Sequence, residues 1–308
     1  MRIGIDLGGT KIEAAAMDEA GVLVLRKRVA TPAGDYSAIL VTIAGLVAHL
    51  ERALKIRATV GIATPGAVSP ATGLIKNSNS VCLNRQRLAE DLERRLARPV
   101  RLANDADCFV LSEARDGAAA GAHSVFGAIL GTGVGGGIVV NGTLLQGPNA
   151  IAGEWGHNPL PWAGADEQPG PPYYCGKRGC IETFVSGPGM EADHRLQGGA
   201  MLTAADIAEH AAAGDGSARA TLERYEDRLA RALAAVINVL DPQVIVLGGG
   251  LSNLQRLYTE VPRRWGEYVF SDRVDTRLVG ARHGDSSGVR GAAWLWPTAG
   301  GPSGGVPP

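Results

Sequence analysis

One unit of sequence occurs twice, and it restricts the fold more than any other feature. Ile3-Gly4-Ile5-Asp6-Leu7 reads as a strand, Gly8-Gly9-Thr10 as a turn, and Lys11 to Ala16 as a returning strand. Glu19-Ala20-Gly21 turns again into a third strand over Val22 to Leu25. The same order reappears further on. Gly127 to Leu130 is a strand, Gly131-Thr132-Gly133 a turn and Gly137 to Val140 a second strand; Asn141-Gly142 is a strong hairpin signal before Thr143-Leu144-Leu145. A repeated supersecondary unit of this size predicts an internal duplication: two related domains facing each other across a cleft.

The rest of the chain fits an alternating α/β plan. Residues 37–54 carry an amphipathic helical pattern and lead to the buried-type strand Thr59 to Ala63. Val100 to Ala103 is a short strand ending at Asn104-Asp105, with a helix expected behind it over 106–114. Leu222, Leu229, Leu233, Val236 and Leu240 recur at helical spacing; that helix should stop before Asp241-Pro242 and feed a strand, 244–247, that runs into Gly248-Gly249-Gly250. Ligands of open α/β sheets collect beyond the carboxyl ends of strands. The polar or glycine-rich endings after residues 7, 63, 103 and 247 mark that edge. The Gly/Pro/Ser-rich tail 298–308 is expected to be disordered.

Composition narrows the function classes. With 45% hydrophobic and 20% charged residues the chain has the make-up of a soluble globular protein. A net charge of -1 supplies no footprint for nucleic acid or an anionic membrane surface. Four cysteines in 308 residues do not form a disulfide framework. The strand pattern starts within two residues of Met1, which leaves no signal-peptide pattern, and the apolar run near 233–247 is broken by Asn238 and Asp241-Pro242. A cytoplasmic enzyme is the expectation.

Several short patterns bear on chemistry. Asp6-Leu7-Gly8-Gly9-Thr10-Lys11 places a carboxylate at a strand end and a glycine turn beyond it, where backbone N–H groups, a hydroxyl and an ammonium can meet phosphate oxygens. A plain hairpin turn is the alternative; the second copy at Gly131-Thr132-Gly133 favours two phosphate turns. Residues 131–136 also match G-x-G-x-x-G, but that fingerprint must open a helix, and a β-rich segment follows. No P-loop pattern is present. Asp105 at a strand end could take a proton from an attacking hydroxyl, or Asn104 and Asp105 could merely cap a helix. Glu154, His157 and Glu182 near Cys175 and Cys180 could meet a polyhydroxylated ligand, as could the loop residues Asn77 and Asn79.

Taken together and in this order, Asp6 to Lys11, Asn104-Asp105, Glu154-x-Gly156-His157, Cys175-Gly176-x-x-Gly179-Cys180-x-Glu182 and Gly248-Gly249-Gly250 resemble the ROK family (repressors, open reading frames, kinases). The resemblance runs from about Met1 to Trp296. Within the family, Asn77 to Asn84 and Glu154 to Trp162 look most like bacterial fructokinases of the manno(fructo)kinase kind. It implies two duplicated domains of the actin/hexokinase-like ATPase (ribonuclease H-like) fold: residues 1–106 with 286–297, and residues 107–285. It implies an ATP-dependent hexose kinase acting on a C6 hydroxyl, with D-fructose as the first sugar to test. Glucose, mannose or an N-acetylated hexosamine comes second, and a sugar-responsive regulator third. The family's regulators carry an N-terminal DNA-binding segment, whereas this chain enters the first strand at Ile3.

Carried over by motif, the resemblance makes Asp105 the general base and gives sugar contacts to Gly66, Asn79, Asn104, Glu154, His157 and Glu182. Gly8, Gly9, Thr10, Lys11, Gly131, Thr132 and Gly133 line the phosphates, Gly249 and Gly250 lie near the nucleoside, and Asp6 positions hydrated Mg²⁺. It further implies a homodimer with sugar and ATP as its small-molecule partners. The family's zinc site takes a histidine and three cysteines. Here Tyr173 stands in for one cysteine, leaving His157, Cys175 and Cys180. Zinc is then expected to be weakly held, with water or a carboxylate such as Asp166 or Glu167 in fourth place, or else the turn stands without metal.

Overall fold

The computed structural model describes residues 1–297; the tail assigned to 298–308 lies outside them. The chain opens with strands β1 (Arg2–Leu7), β2 (Lys11–Met17) and β3 (Leu23–Ala30), then helix α1 (Tyr36–Leu54) and strand β4 (Thr59–Thr64). A small hairpin of β5 (Ala67–Val68) and β6 (Ile75–Lys76) precedes α2 (Leu88–Leu96), β7 (Val100–Asn104) and α3 (Asp105–Arg115). The pattern then restarts with β8 (Ser124–Leu130), β9 (Val134–Val140) and β10 (Thr143–Leu144). Helices α4 (Glu182–Val185), α5 (Gly187–Leu196), α6 (Ala204–Ala212) and α7 (Gly216–Leu240) follow, then β11 (Val244–Gly248), α8 (Leu257–Trp265), β12 (Arg277–Gly280) and α9 (Ser287–Trp294).

The two five-stranded sheets have the same layout. One runs β3-β2-β1-β4-β7 and the other β10-β9-β8-β11-β12. In the first, β1 pairs antiparallel with β2 and parallel with β4, and β4 is parallel to β7. In the second, β8 and β12 both run parallel to β11, and β10 is antiparallel to β9. Each sheet is thus an antiparallel meander extended by two parallel strands. The duplication expected from the sequence is present in the strand order itself. Asn141 and Gly142 both have positive φ (52° and 70°), as the Asn-Gly signal requires. The helix of 222–240 ends where expected: Asp241 turns left-handed (φ 47°) and its N–H bonds Ile237.

Each element forms for a local reason. Asp35 accepts the Ala38 N–H to start α1, which buries Ile39, Ile43, Leu46, Val47 and Leu50 at three- and four-residue spacing. Each such side chain contributes roughly 1.5–3 kcal/mol by leaving water. Among the described residues α1 alone is long and apolar enough to cross a membrane. Its apolar stripe instead joins Ile3, Ile5, Val60 and Ile62 in the core of the first sheet.

The chain divides into two compact units: Met1–His123 with Gly137–Ala152 and Arg282 onward, and Ser124–Gly136 with Gly153–Ala281. These limits differ from the expected 106/107 and 285/286 boundaries. Helix α3 belongs with the first unit because α9 packs along it and along β1 and β4 at backbone distance. A Cβ on Gly4 would land on the Val289 carbonyl, one on Gly61 on the Ala292 carbonyl, and one on Gly291 on the Cys108 carbonyl. Glu113 of α3, fully buried, then accepts the N–H groups of Arg282 and His283 (2.9 and 3.0 Å) and the Ser287 hydroxyl (2.9 Å).

Candidate active site

In the first unit a carboxylate ends β1. Asp6 lies opposite Glu13 of β2 and beside Ala63 of β4. Glu13 is buried and paired with Arg26 and Arg28. Burial, then the like charges of Asp105 and Glu13, push the Asp6 carboxyl up to about 6, against the opposing pull of Lys11 and Arg28. The start of α9 abuts this group: a Cβ on Gly288 would stand 2.7 Å from Asp6 Oδ2. Sequence reasoning missed Gly288, although its three-residue spacing from Gly291 marks a helix built for close approach.

The first glycine turn follows at once. The Gly8 N–H donates to the Lys11 carbonyl at 3.0 Å, and Thr31 fastens the turn from outside. Its hydroxyl donates to Gly8 O (2.7 Å) and its N–H to Thr10 O (3.0 Å). Gly9 and Thr10 are exposed, and Lys11 Nζ lies 4.0 Å from Asp285 Oδ2. This is a braced turn with its tip open to solvent.

At the end of β7 two side chains meet the first free N–H of α3. Asn104 is the cap: its Oδ1 accepts the Ala106 N–H at 2.8 Å, and its Nδ2 donates to Gly66 O at 3.2 Å. Such a cap contributes about 1 kcal/mol. Asp105 is the first residue of α3 and is exposed, with Oδ1 near the same Ala106 N–H. Gly66 has φ +80°, and Ser78 N would lie 2.8 Å from a Cβ there, so no side chain fits. Asn79 is exposed in the loop before Val81. That loop is held by Asn84, a residue the sequence did not single out, which accepts the Ser78 N–H (2.9 Å) and donates to Ser78 O (2.8 Å).

The second unit holds the other glycine turn. Gly131 N–H donates to Gly133 O at 3.0 Å, and β9 follows directly, so the G-x-G-x-x-G match opens a strand and not a helix. Gly249, φ +80°, lies against the backbone of Leu130, whose nitrogen would be 3.0 Å from a Cβ on it; the glycines after β11 and the turn after β8 therefore share one edge. The Glu154–His157 turn packs on the start of β9: the Trp155 indole donates to Gly135 O (3.0 Å), and a Cβ on Gly156 would meet Val134 O at 2.6 Å. Glu182 opens α4 and accepts the Val134 N–H on Oε2 at 2.8 Å. Burial raises its pKa, opposed by that N–H and by His157 and reinforced by Glu154.

The cysteine turn sits two residues before Glu182. Cys175 Sγ and Cys180 Sγ are 3.6 Å apart, both free thiols, far beyond the ~2.05 Å of a disulfide. With His157 they offer three ligand atoms within 4.8 Å of one another. Two thiolates at ~2.3 Å from a tetrahedral zinc stand about 3.8 Å apart, close to the separation found. His157 Nδ1 is buried with no hydrogen-bond partner, as an atom meant for a metal would be. A backbone bond at Lys177, then His157, lowers the Cys175 pKa, while burial raises that of Cys180. The residues fit a metal ion at three positions. Tyr173 packs on Tyr174 (ring centroids 4.4 Å), and the Tyr174 hydroxyl reaches His157 Nε2 at 3.3 Å. Glu167 is not the fourth ligand. Its carboxylate is committed to Arg228 and Arg231 at 2.7 and 2.8 Å, and although burial opposes it, those bonds pull its pKa down to about 2. Asp166 does not join the three-residue cluster either.

The ROK family model matches residues 2–299. An N-acetyl-D-glucosamine kinase of Yersinia pseudotuberculosis is 42% identical over 299 residues, covering 96% of this chain and 98% of that protein. One of Vibrio cholerae is 41% identical over 299 residues, with 96% and 99% covered. Among solved structures, a ROK hexokinase from Thermus thermophilus superposes with a TM-score of 0.85 at 30% identity, over 95% of this chain and 96% of that one. A ROK glucokinase from Streptomyces griseus, solved with glucose and AMPPNP, gives 0.75 at 27% identity, over 96% and 98%. The architecture is the actin-like ATPase fold of these hexokinases. The chain belongs to the ROK family, where it stands among the sugar kinases.

Proposed function

We propose that the protein is an ATP-dependent hexose kinase that phosphorylates N-acetyl-D-glucosamine at its C6 hydroxyl. One observation carries the choice of sugar: 42% identity across 96% of the chain to an N-acetyl-D-glucosamine kinase. The motif resemblance put fructose first and glucose, mannose or an N-acetylated hexosamine second; the full-length identity supports the last of these.

In this reading Asp105, exposed at the first turn of α3, takes the proton of the sugar hydroxyl. That oxygen forms the new bond to the γ-phosphorus while the bond to the bridging oxygen breaks and ADP leaves. Mg²⁺ bound with the nucleotide supplies charge neutralisation, and Asp6 is the residue that would orient its hydration shell. Gly8 to Lys11 and Gly131 to Gly133 offer N–H, hydroxyl and ammonium donors to the phosphates, and Gly249 and Gly250 lie on the nucleoside side. Gly66, Asn79, Asn104, Glu154, His157 and Glu182 serve the sugar. His157, Cys175 and Cys180 would hold a zinc ion that fixes the turn leading into α4 and Glu182. A homodimer in the cytoplasm, with sugar and ATP as its small-molecule partners, completes the proposal.

The test is a coupled ADP-release assay across N-acetylglucosamine, glucose, mannose and fructose. N-acetylglucosamine should give the highest kcat/KM by tenfold or more. A higher value for fructose would return the assignment to the sugar that the motifs suggested.

A further inference from the structure

The segment Glu182–Gly187 holds the second glycine turn at both ends. At one end Glu182 Oε2 accepts the Val134 N–H at 2.8 Å, and a Cβ on Gly133 would stand 3.2 Å from Oε1. At the other, the Gly187 N–H donates to Gly131 O at 2.8 Å. The holder is itself stiff. Ser186 caps α5 by accepting the Gly189 N–H at 3.1 Å, and a Cβ on Gly189 would stand 2.6 Å from Thr183 O, so α4 and α5 are in backbone contact. Upstream, Ile181 N–H bonds Asn158 O (2.8 Å) and Leu160 N–H bonds Gly179 O (2.9 Å), which fixes where α4 begins.

We propose that Glu182 is a positioning residue for nucleotide binding: its carboxylate sets the shape of the Gly131–Gly133 turn, independently of any contact it makes with sugar. A carboxylate beside a phosphate turn is electrostatically unfavourable unless it has a structural task, and accepting the turn's next N–H is such a task. The proposal rests on the kinase reading. A hydrogen bond from a backbone amide to a charged acceptor is worth more than one to a neutral partner, and leaving that amide unpaired carries its own penalty.

The experiment titrates a non-hydrolysable ATP analogue with Mg²⁺ into wild type, Glu182→Ala and Glu182→Gln, without any sugar, by calorimetry. Far-UV circular dichroism checks that each variant is folded. Glu182→Ala should weaken analogue binding about tenfold or more. Glu182→Gln keeps an acceptor oxygen for Val134 and should stay within about threefold of wild type, while its KM for sugar rises. If Glu182→Ala binds the analogue as wild type does, or Glu182→Gln loses as much as Ala, the positioning role is overturned and the kinase reading stands. If wild type binds no nucleotide, the kinase reading fails and takes this inference with it.

Discussion

Replacing Asp6 by Asn should make the protein more stable at neutral pH while removing its activity. Burial and the charges of Asp105 and Glu13 raise the Asp6 carboxyl from its ordinary 3.8 to about 6. Between those values the folded chain holds a proton that the unfolded chain has released, so stability falls as pH rises through the window and levels off above it. At 1.36 kcal/mol per tenfold change in proton affinity, the full cost of the charge is about 3 kcal/mol at pH 7.5 and about 0.5 kcal/mol at pH 4. Asparagine keeps the shape without the charge, so the gain should approach the first figure at pH 7.5 and shrink to the second at pH 4. Urea unfolding followed by tryptophan fluorescence at both pH values measures it. A variant that gains nothing at pH 7.5, or gains equally at pH 4, would refute the claim that this carboxylate is held ionised against its surroundings. The same substitution should abolish Mg²⁺-dependent turnover, a trade of stability for function at one residue.

Asp105→Asn should lower kcat on the order of 10²-fold or more with KM for sugar little changed, because the acceptor of the hydroxyl proton is lost; steady-state kinetics showing near-normal turnover would remove Asp105 from that role. Tyr173→Cys restores a thiol where the family places one and should tighten zinc binding at least tenfold, read by competition with a chromophoric chelator; wild type that already resists the chelator at one zinc per chain would contradict a site of three protein ligands.

Much of the fold was legible because its signals are local. The strands around Gly8 to Thr10 and Gly131 to Gly133, the Asn141-Gly142 hairpin and the stop at Asp241-Pro242 depend on neighbouring residues alone, and each is present. Asn104 and Asp105 were legible only as a pair. Which of them caps α3 is decided by side-chain geometry that spacing does not encode. The compact units differ from the expected boundaries at α3, whose partner α9 lies about 180 residues later, and Gly4, Gly61 and Gly291 read as ordinary glycines until their close neighbours are known. The glycines of β9 are similar: the run gives no hint that the close neighbours of Gly136 are Gly153 and Trp155, or that those of Gly137 are Ala106 and Val110. Glu167 carries no local mark at all. Its two arginines come from α7, some 60 residues away.

The seating of α9 sets the order in which the protein can be made. Strand β1 and helix α9 belong to one unit, yet they are separated by nearly the whole chain. While the chain is still on the ribosome, Gly4, Gly61 and the Cys108 carbonyl form a bare trough, and Glu113 has no Arg282, His283 or Ser287 to bond. The unit that bears Asp6 and Asp105 therefore closes last, after the other has been synthesised in full, and a chain released before residue 287 lacks the piece that completes it.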